Sequence, residues 1–416
     1  MNAAAAAGPA LAGGARAAAA MFAAFAFAYF FSALLRAVTA TLAPAFSAEL
    51  DLSAGELGLL AGAYFLGFAL MQLPLGRALD RYGPRRVLML FLTLAVIACA
   101  AFALARDFAS LLAARALIGV GVSACLMAPL TAYRRHFSPA AQLRANSWML
   151  MTGSLGMLAS TLPVQWLLPA VGWRGLFWWV AGLLALAMML IASVVPRDPA
   201  TPLSADAPVL GYREIFRHPY FVRLAPMAFF VYGGLLAVQS LWAGPWLTDV
   251  AGYSAAEAAS GLFAINMSML FAFFSWGVAM PHVIRRGWQV DRLIALGVPV
   301  SLLLLAGAVA LGPRVGAAWW ASWCVSCTFV ALSQPAVAQA FPAAAAGRAL
   351  SAFNLVIFLG VFCVQWGIGL TIDALLALGW PRLRAFQAAF GLFALGGALS
   401  YAWFLLRGRR RGAQPG

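Results

Sequence analysis

The chain has 416 residues, of which 64% are apolar and 9% charged, and its formal net charge is +15. A soluble protein of this length needs roughly 25% charged residues to cover its surface, so lipid must serve as solvent for much of this one. All 27 basic residues are arginine; they stand in short gaps between long apolar runs, which excludes a nucleic-acid-binding face.

A helical crossing of the hydrocarbon takes about 20 residues. In chain order, residues 1–17 read as a disordered Ala/Gly-rich segment, and the apolar stretch after Arg16 is too long for the core of a signal peptide. Spans are then predicted at 18–44, 57–75, 87–105, 108–133, 145–168 and 176–195. A hydrophilic interval at 197–218, with Pro199, Pro202 and Pro208, divides the chain nearly in half. The rhythm repeats at 224–247, 258–280, 291–312, 317–340, 348–372 and 384–406, and a basic tail occupies 407–416. Strands of a membrane barrel alternate over about ten residues. These runs are twice as long and continuously apolar, so the expected class is all-α: twelve transmembrane helices in two six-helix halves (18–196 and 219–406).

Placing the N-terminus in the cytoplasm puts twenty arginines inside and five outside (Arg106, Arg174, Arg314, Arg382 and Arg384), with Arg36 and Arg115 within spans. The positive-inside rule therefore predicts cytoplasmic termini, and the multi-span helical bundle is expected in a bacterial cytoplasmic (inner) membrane. The five cysteines fall within spans and behave as small apolar side chains. Cys324-x-x-Cys327 lacks the further ligands that zinc needs. The chain has no lysine, hence no phosphate-binding loop of the G-x-x-x-x-G-K type. No embedded acid–base pair presents itself, so neither an enzyme nor a bound cofactor or metal is expected.

Arg36 lies about 26 Å along the first span at 1.5 Å per residue, where it either snorkels to the nearer surface or faces the interior and binds an anion. Ser32 and Thr39 share its helix face. Further candidates for substrate binding are Gln165, Gln239, Trp242, Asn266, Asn354 and Gln365. An amide in such a span is more often an interhelical bond than a ligand. The tryptophan pairs 178–179 and 319–320 suit a membrane interface.

The stretch from Gly76, G-R-A-L-D-R-Y-G-P-R-R, resembles the signature loop between spans 2 and 3 of the major facilitator superfamily, carried here by Gly76, Asp80, Arg81, Gly83, Arg85 and Arg86. Arg115-x-x-x-Gly119-x-Gly121 resembles that superfamily's fourth-span motif. In physical terms, Gly76 would allow a close helix crossing, Gly83 and Pro84 a tight turn and helix start, and Asp80 a charge latch that also engages arginines. Arg115 would either hold groups on spans 1 and 2 or couple substrate to motion. The second half carries Pro281 where the acid would stand.

The resemblance implies a secondary or facilitative carrier moving a small organic solute by alternating access. An anion such as a carboxylate is favoured because the embedded charges are both positive. Proton coupling would have to use Glu56, Asp80, Asp373 or the substrate's own proton. Membrane lipid is the expected surroundings, nucleic acid is not a partner, and a monomer is expected. The alternatives are a transporter-like sensor or lipid-handling protein without flux, or an exporter of neutral or cationic amphiphiles.

Overall fold

A computed structural model describes residues 14–197 and 210–412. Among these residues every regular element is helical. Lipid enforces that outcome, because an unpaired backbone group finds no water in the hydrocarbon. The first part of the chain forms α1 (Gly14–Leu50), α2 (Ala54–Tyr82), α3 (Pro84–Leu104), α4 (Phe108–His136), α5 (Pro139–Ala159) and α6 (Leu162–Val194). A short α7 (Tyr212–Arg217) precedes α8 (Pro219–Val250). Then follow α9 (Ala255–Arg285), α10 (Val290–Leu311), α11 (Ala317–Gln339), α12 (Ala343–Ala377) and α13 (Arg382–Gly412). Eleven stretches of the described residues are long and apolar enough to cross a membrane. Outward-facing Leu90, Ile97, Leu303 and Leu399 are each at least 60% exposed, a surface that suits hydrocarbon and not water.

Helix starts follow local chemistry. The Ser53 hydroxyl accepts from the Glu56 N–H at 3.1 Å, and the Glu56 carboxylate accepts from the Ser53 N–H at 3.0 Å, a reciprocal cap on α2. Asp107 caps α4 by accepting from the Ser110 N–H at 2.8 Å. Gly83, at φ 79°, makes the expected tight turn, and Pro84 opens α3. Gly172, at φ 64° and ψ 172°, breaks α6 into two helical runs. The spans predicted at 145–168 and 176–195 fall on either side of it.

Several boundaries differ from expectation. α1 runs from Gly14 to Leu50 with Pro44 inside it, because the flanking alanines favour continuing the helix. α13 continues through the arginines to Gly412, so most of the predicted basic tail is helical. Residues 1–13, 198–209 and 413–416, where the rest of the predicted terminal segments and most of the central loop fall, lie outside the described residues. Trp178 and Trp179 are exposed as expected of interface residues, but Trp320 is completely buried, packed edge-on against Trp246 and Trp323.

The two parts of the chain meet along α2 and α12, which lie together for most of their length, while α1 packs against α5 and α8. Phe358 of α12 sits 4.6 Å from Phe68 and 6.2 Å from Phe65 of α2, centroid to centroid. At the arginine-poor end, Arg174 pairs with Glu49 and donates to the Ala105 carbonyl, tying α6 to the ends of α1 and α3.

Candidate functional site

Arg115 is 1% exposed, and its Nη2 donates to the Leu35 carbonyl at 2.9 Å and to Thr39 Oγ1 at 2.5 Å. Its guanidinium lies 4.9 Å from the Tyr64 ring centroid, a favourable cation–π arrangement. Arg115 therefore holds groups of α1 and α2, the first of its two predicted roles. The approach depends on Gly119 and Gly121: a Cβ at Gly119 would strike the Tyr64 backbone, and one at Gly121 the Ala95 backbone.

Arg36 behaves differently. It is half-buried, whereas Arg115 is sealed; its Nε is buried without a hydrogen-bond partner, as are Nε and Nη1 of Arg115. Its Cζ sits 5.5 Å from the Phe68 ring centroid. The Tyr29 and Tyr64 side chains face the guanidinium, and Tyr232 of α8 lies within electrostatic reach. Tyr29 is seven residues earlier on α1, so Arg36 points back along the helix, as helical side chains do, and does not snorkel to the arginine-poor end. Ion pairs among the described residues are Arg174–Glu49, Arg223–Asp291 and Arg382–Asp249; none involves Arg36 or Arg115.

The polar stripe expected beside Arg36 serves α4 instead. Thr39 accepts from Arg115, and the Ser32 hydroxyl donates to the Val122 carbonyl at 3.4 Å. The amides of the second half sort into three groups. Gln239 Nε2 donates to Asn266 Oδ1 at 2.9 Å, joining α8 to α9. Gln365 Nε2 donates to Ser240 Oγ at 3.0 Å, and the Trp242 indole donates to the Gln365 carbonyl at 3.0 Å, joining α8 to α12. The third group is a relay: the Tyr232 hydroxyl donates to Gln334 Oε1 at 3.2 Å, and Gln334 Nε2 donates to Asn354 Oδ1 at 2.6 Å. Of the predicted amides, only Asn354 is thereby connected to the surroundings of Arg36. Gln165 is half-buried with no side-chain hydrogen bond among the described residues, beside a Trp166 that is 70% exposed.

α8 contains π-helical turns at Ala228–Tyr232, Val238–Trp242 and Trp246–Val250. Such turns widen a helix and recur at functional sites. The first carries Tyr232, and the second carries Gln239, Ser240 and Trp242. A cavity of about 550 Å³ opens at the arginine-poor end, with Trp242 and Phe386 in its lining alongside Asp249, Asp373 and Arg382.

The loop at 76–86 departs from expectation in part. Asp80 is exposed and forms no ion pair among the described residues. The Leu79 carbonyl before it accepts from Arg135 at 3.4 Å, and Arg85 donates to the Ala192 carbonyl at 2.5 Å, binding α3 to α6. Arg81 stacks on Tyr82 at 5.2 Å, and Arg86 is exposed. The close crossing expected at Gly76 is absent, since a Cβ there meets nothing within 4 Å. α2 instead makes its close approaches nearer its start, where Gly55, Gly58 and Gly62 meet α12.

The second half has a charge cluster that sequence reasoning missed. Arg223 Nη1 meets Asp291 Oδ2 at 2.5 Å, Tyr220 donates to Asp291 Oδ1 at 2.8 Å, and Arg223 stacks on Phe404 at 4.1 Å. The aromatic surroundings of Arg36 were missed too; tyrosines 29, 64 and 232 in otherwise apolar runs were the available signal.

The family model described as the Major Facilitator Superfamily matches residues 25–365. The chain belongs to that superfamily. It is a multi-pass protein of the bacterial inner membrane, built as a transporter and not as an enzyme. Among curated relatives, the multidrug resistance protein MdtL of Shigella flexneri is 24% identical over 267 residues, spanning 62% of this chain and 67% of that protein. A bacterial homolog of the human lysosomal transporter Spinster, solved inward-facing and unoccupied, superposes with a TM-score of 0.74 at 18% identity, covering 95% of this chain and 98% of that one. The POT family transporter PepTSo superposes at 0.75 and 15% identity, covering 96% and 99%. The D-xylose–proton symporter does so at 0.74 and 17% identity, covering 92% and 96%. At these identities the structural likeness establishes the fold alone.

Proposed function

We propose that this protein is a secondary carrier moving a small organic anion across the inner membrane by alternating access between two six-helix halves. The observation that carries the reading is Arg36. It is a half-buried guanidinium without a counter-charge among the described residues, set in the first half over Phe68, which packs on Phe358 of the second. A charge at that depth is costly unless a partner or a solute meets it.

Twelve spans follow if α5 and the part of α6 before Gly172 form one crossing and the rest of α6 the next. Both termini then lie with the arginine-rich loops in the cytoplasm. Contacts of α1 with α8 and of α2 with α12 near the arginine-poor end support a state closed to the outside. Because the described acids cluster at helix ends, proton coupling would run through one of those or through the solute itself.

Counterflow in proteoliposomes, with a panel of carboxylates, amino acids, sugars and cationic drugs, tests the proposal. It should find an anion whose exchange is lost in Arg36→Gln while the variant remains folded. The name carried by the MdtL relatives favours a second reading, export of amphiphilic drugs. In that case a cationic amphiphile would exchange equally well in Arg36→Gln.

A further inference from the structure

Resting on the carrier reading above, we infer that the central site takes an amphipathic monoanion, its charged head on Arg36 of the first half and its body against Phe68 and against Phe358 of the second.

The charge of the ligand follows from counting what is reachable. Arg36 and Arg115 are the arginines away from the helix ends on α1 and α4, but Arg115 is sealed at 1% exposure with Nη2 tied to α1. Of the two, only Arg36 is half-buried; its Nε lacks a partner, as do Nε and Nη1 of the sealed Arg115. A single carboxylate would meet one guanidinium in a charge-assisted pair. A second anionic group would find no second available cation on these helices among the described residues and would remain desolvated without compensation. A cationic solute would face the same field with no carboxylate paired to Arg36 among the described residues, whose ion-paired acids are held by Arg174, Arg223 and Arg382.

The body of the ligand follows from the walls. Phe68 lies under Arg36, Phe358 lies 4.6 Å beyond it, and Tyr64 stacks on Phe68 at 6.2 Å. Phe358 is half-buried, so part of its ring is available for contact. These faces favour an aromatic or branched aliphatic body over a polyhydroxylated one.

The second half contributes Phe358, on α12, whereas Arg36 lies on α1 of the first. A ligand held by both bridges the two halves, so its binding energy bears directly on their relative position.

The test uses the purified full-length chain, with thermal stabilisation for binding and proteoliposome counterflow for transport. The probes are benzoate (aromatic monoanion), acetate (monoanion without a body), succinate (dianion) and tetraphenylphosphonium (aromatic cation). Benzoate is expected to stabilise and exchange, with acetate and succinate at least about tenfold weaker. Arg36→Gln should abolish the benzoate response and Arg36→Lys restore part of it. Phe358→Leu, which removes the ring that meets Phe68, should raise the half-saturating benzoate concentration several-fold. Succinate binding as tightly as benzoate would overturn the inference, as would tetraphenylphosphonium binding that survives Arg36→Gln, or no response to any probe by folded wild type. Benzoate binding without counterflow would sink the carrier reading and leave the site standing. Counterflow of tetraphenylphosphonium in Arg36→Gln would do the reverse.

Discussion

Asp373 near the end of α12 is the residue through which the contact of α2 with α12 is most directly tested. Its Oδ1 accepts from the Ala54 N–H at 3.0 Å and its Oδ2 from the Gly55 N–H at 2.7 Å. These are the first residues of α2, whose opening N–H groups have no partner within their own helix. A carboxylate from one half thus caps a helix of the other, favoured further by the positive end of the helix dipole. Hydrogen bonds to a charged group contribute about 1.5–3 kcal/mol each. Asparagine keeps one acceptor, loses the charge and turns an N–H toward the second donor. Asp373→Asn should therefore weaken the closed arrangement by about 2–3 kcal/mol, a shift in the closed-to-open ratio of roughly 30–150-fold. Leu57 lines the cavity beside this contact and is 6% exposed. Modification of a Leu57→Cys probe by a membrane-impermeant maleimide should accelerate at least tenfold in the Asp373→Asn background. An unchanged labelling rate with a lowered melting temperature would show that the contact supports the fold alone, and would refute the gating argument.

Gly119→Ala should destabilise the protein by about 1–3 kcal/mol through overpacking, because the new Cβ strikes the Tyr64 backbone, whereas Gly76→Ala should leave the melting temperature unchanged. For Asp80→Asn, the expected result is slower counterflow with ligand affinity within a few-fold of wild type; loss of binding without a change in conformational distribution would contradict a latch role. Asp291→Asn should lower thermal stability, since it leaves Arg223 without its ion-pair partner; a neutral effect would show that Tyr220 and Phe404 suffice. Reporter fusions should place residues 81, 135 and 410 in the cytoplasm and 53, 107 and 252 outside, and a C-terminal tail accessible from outside would overturn the twelve-span topology.

What the sequence determined by itself was whatever depends on short stretches of chain. Helix type, approximate span positions and the turn at Gly83-Pro84 follow from the length of apolar runs and from local backbone chemistry. The superfamily was legible because its loop motif is also contiguous, from Gly76 to Arg86. Tertiary structure alone decided what each buried polar group does. Arg36 and Arg115 look alike as lone arginines in apolar spans, yet Arg115 is sealed against Leu35 and Thr39 while Arg36 is left half-buried over Phe68. Gln239, Asn266 and Gln365 are as polar as Asn354, but only Asn354 connects to Tyr232. The physical reason is that a side chain's partner inside a membrane is set by which helices are neighbours and how they are rotated. In this chain those neighbours come from sequence positions as distant as Ala54 and Asp373, held together where glycines let the backbones meet.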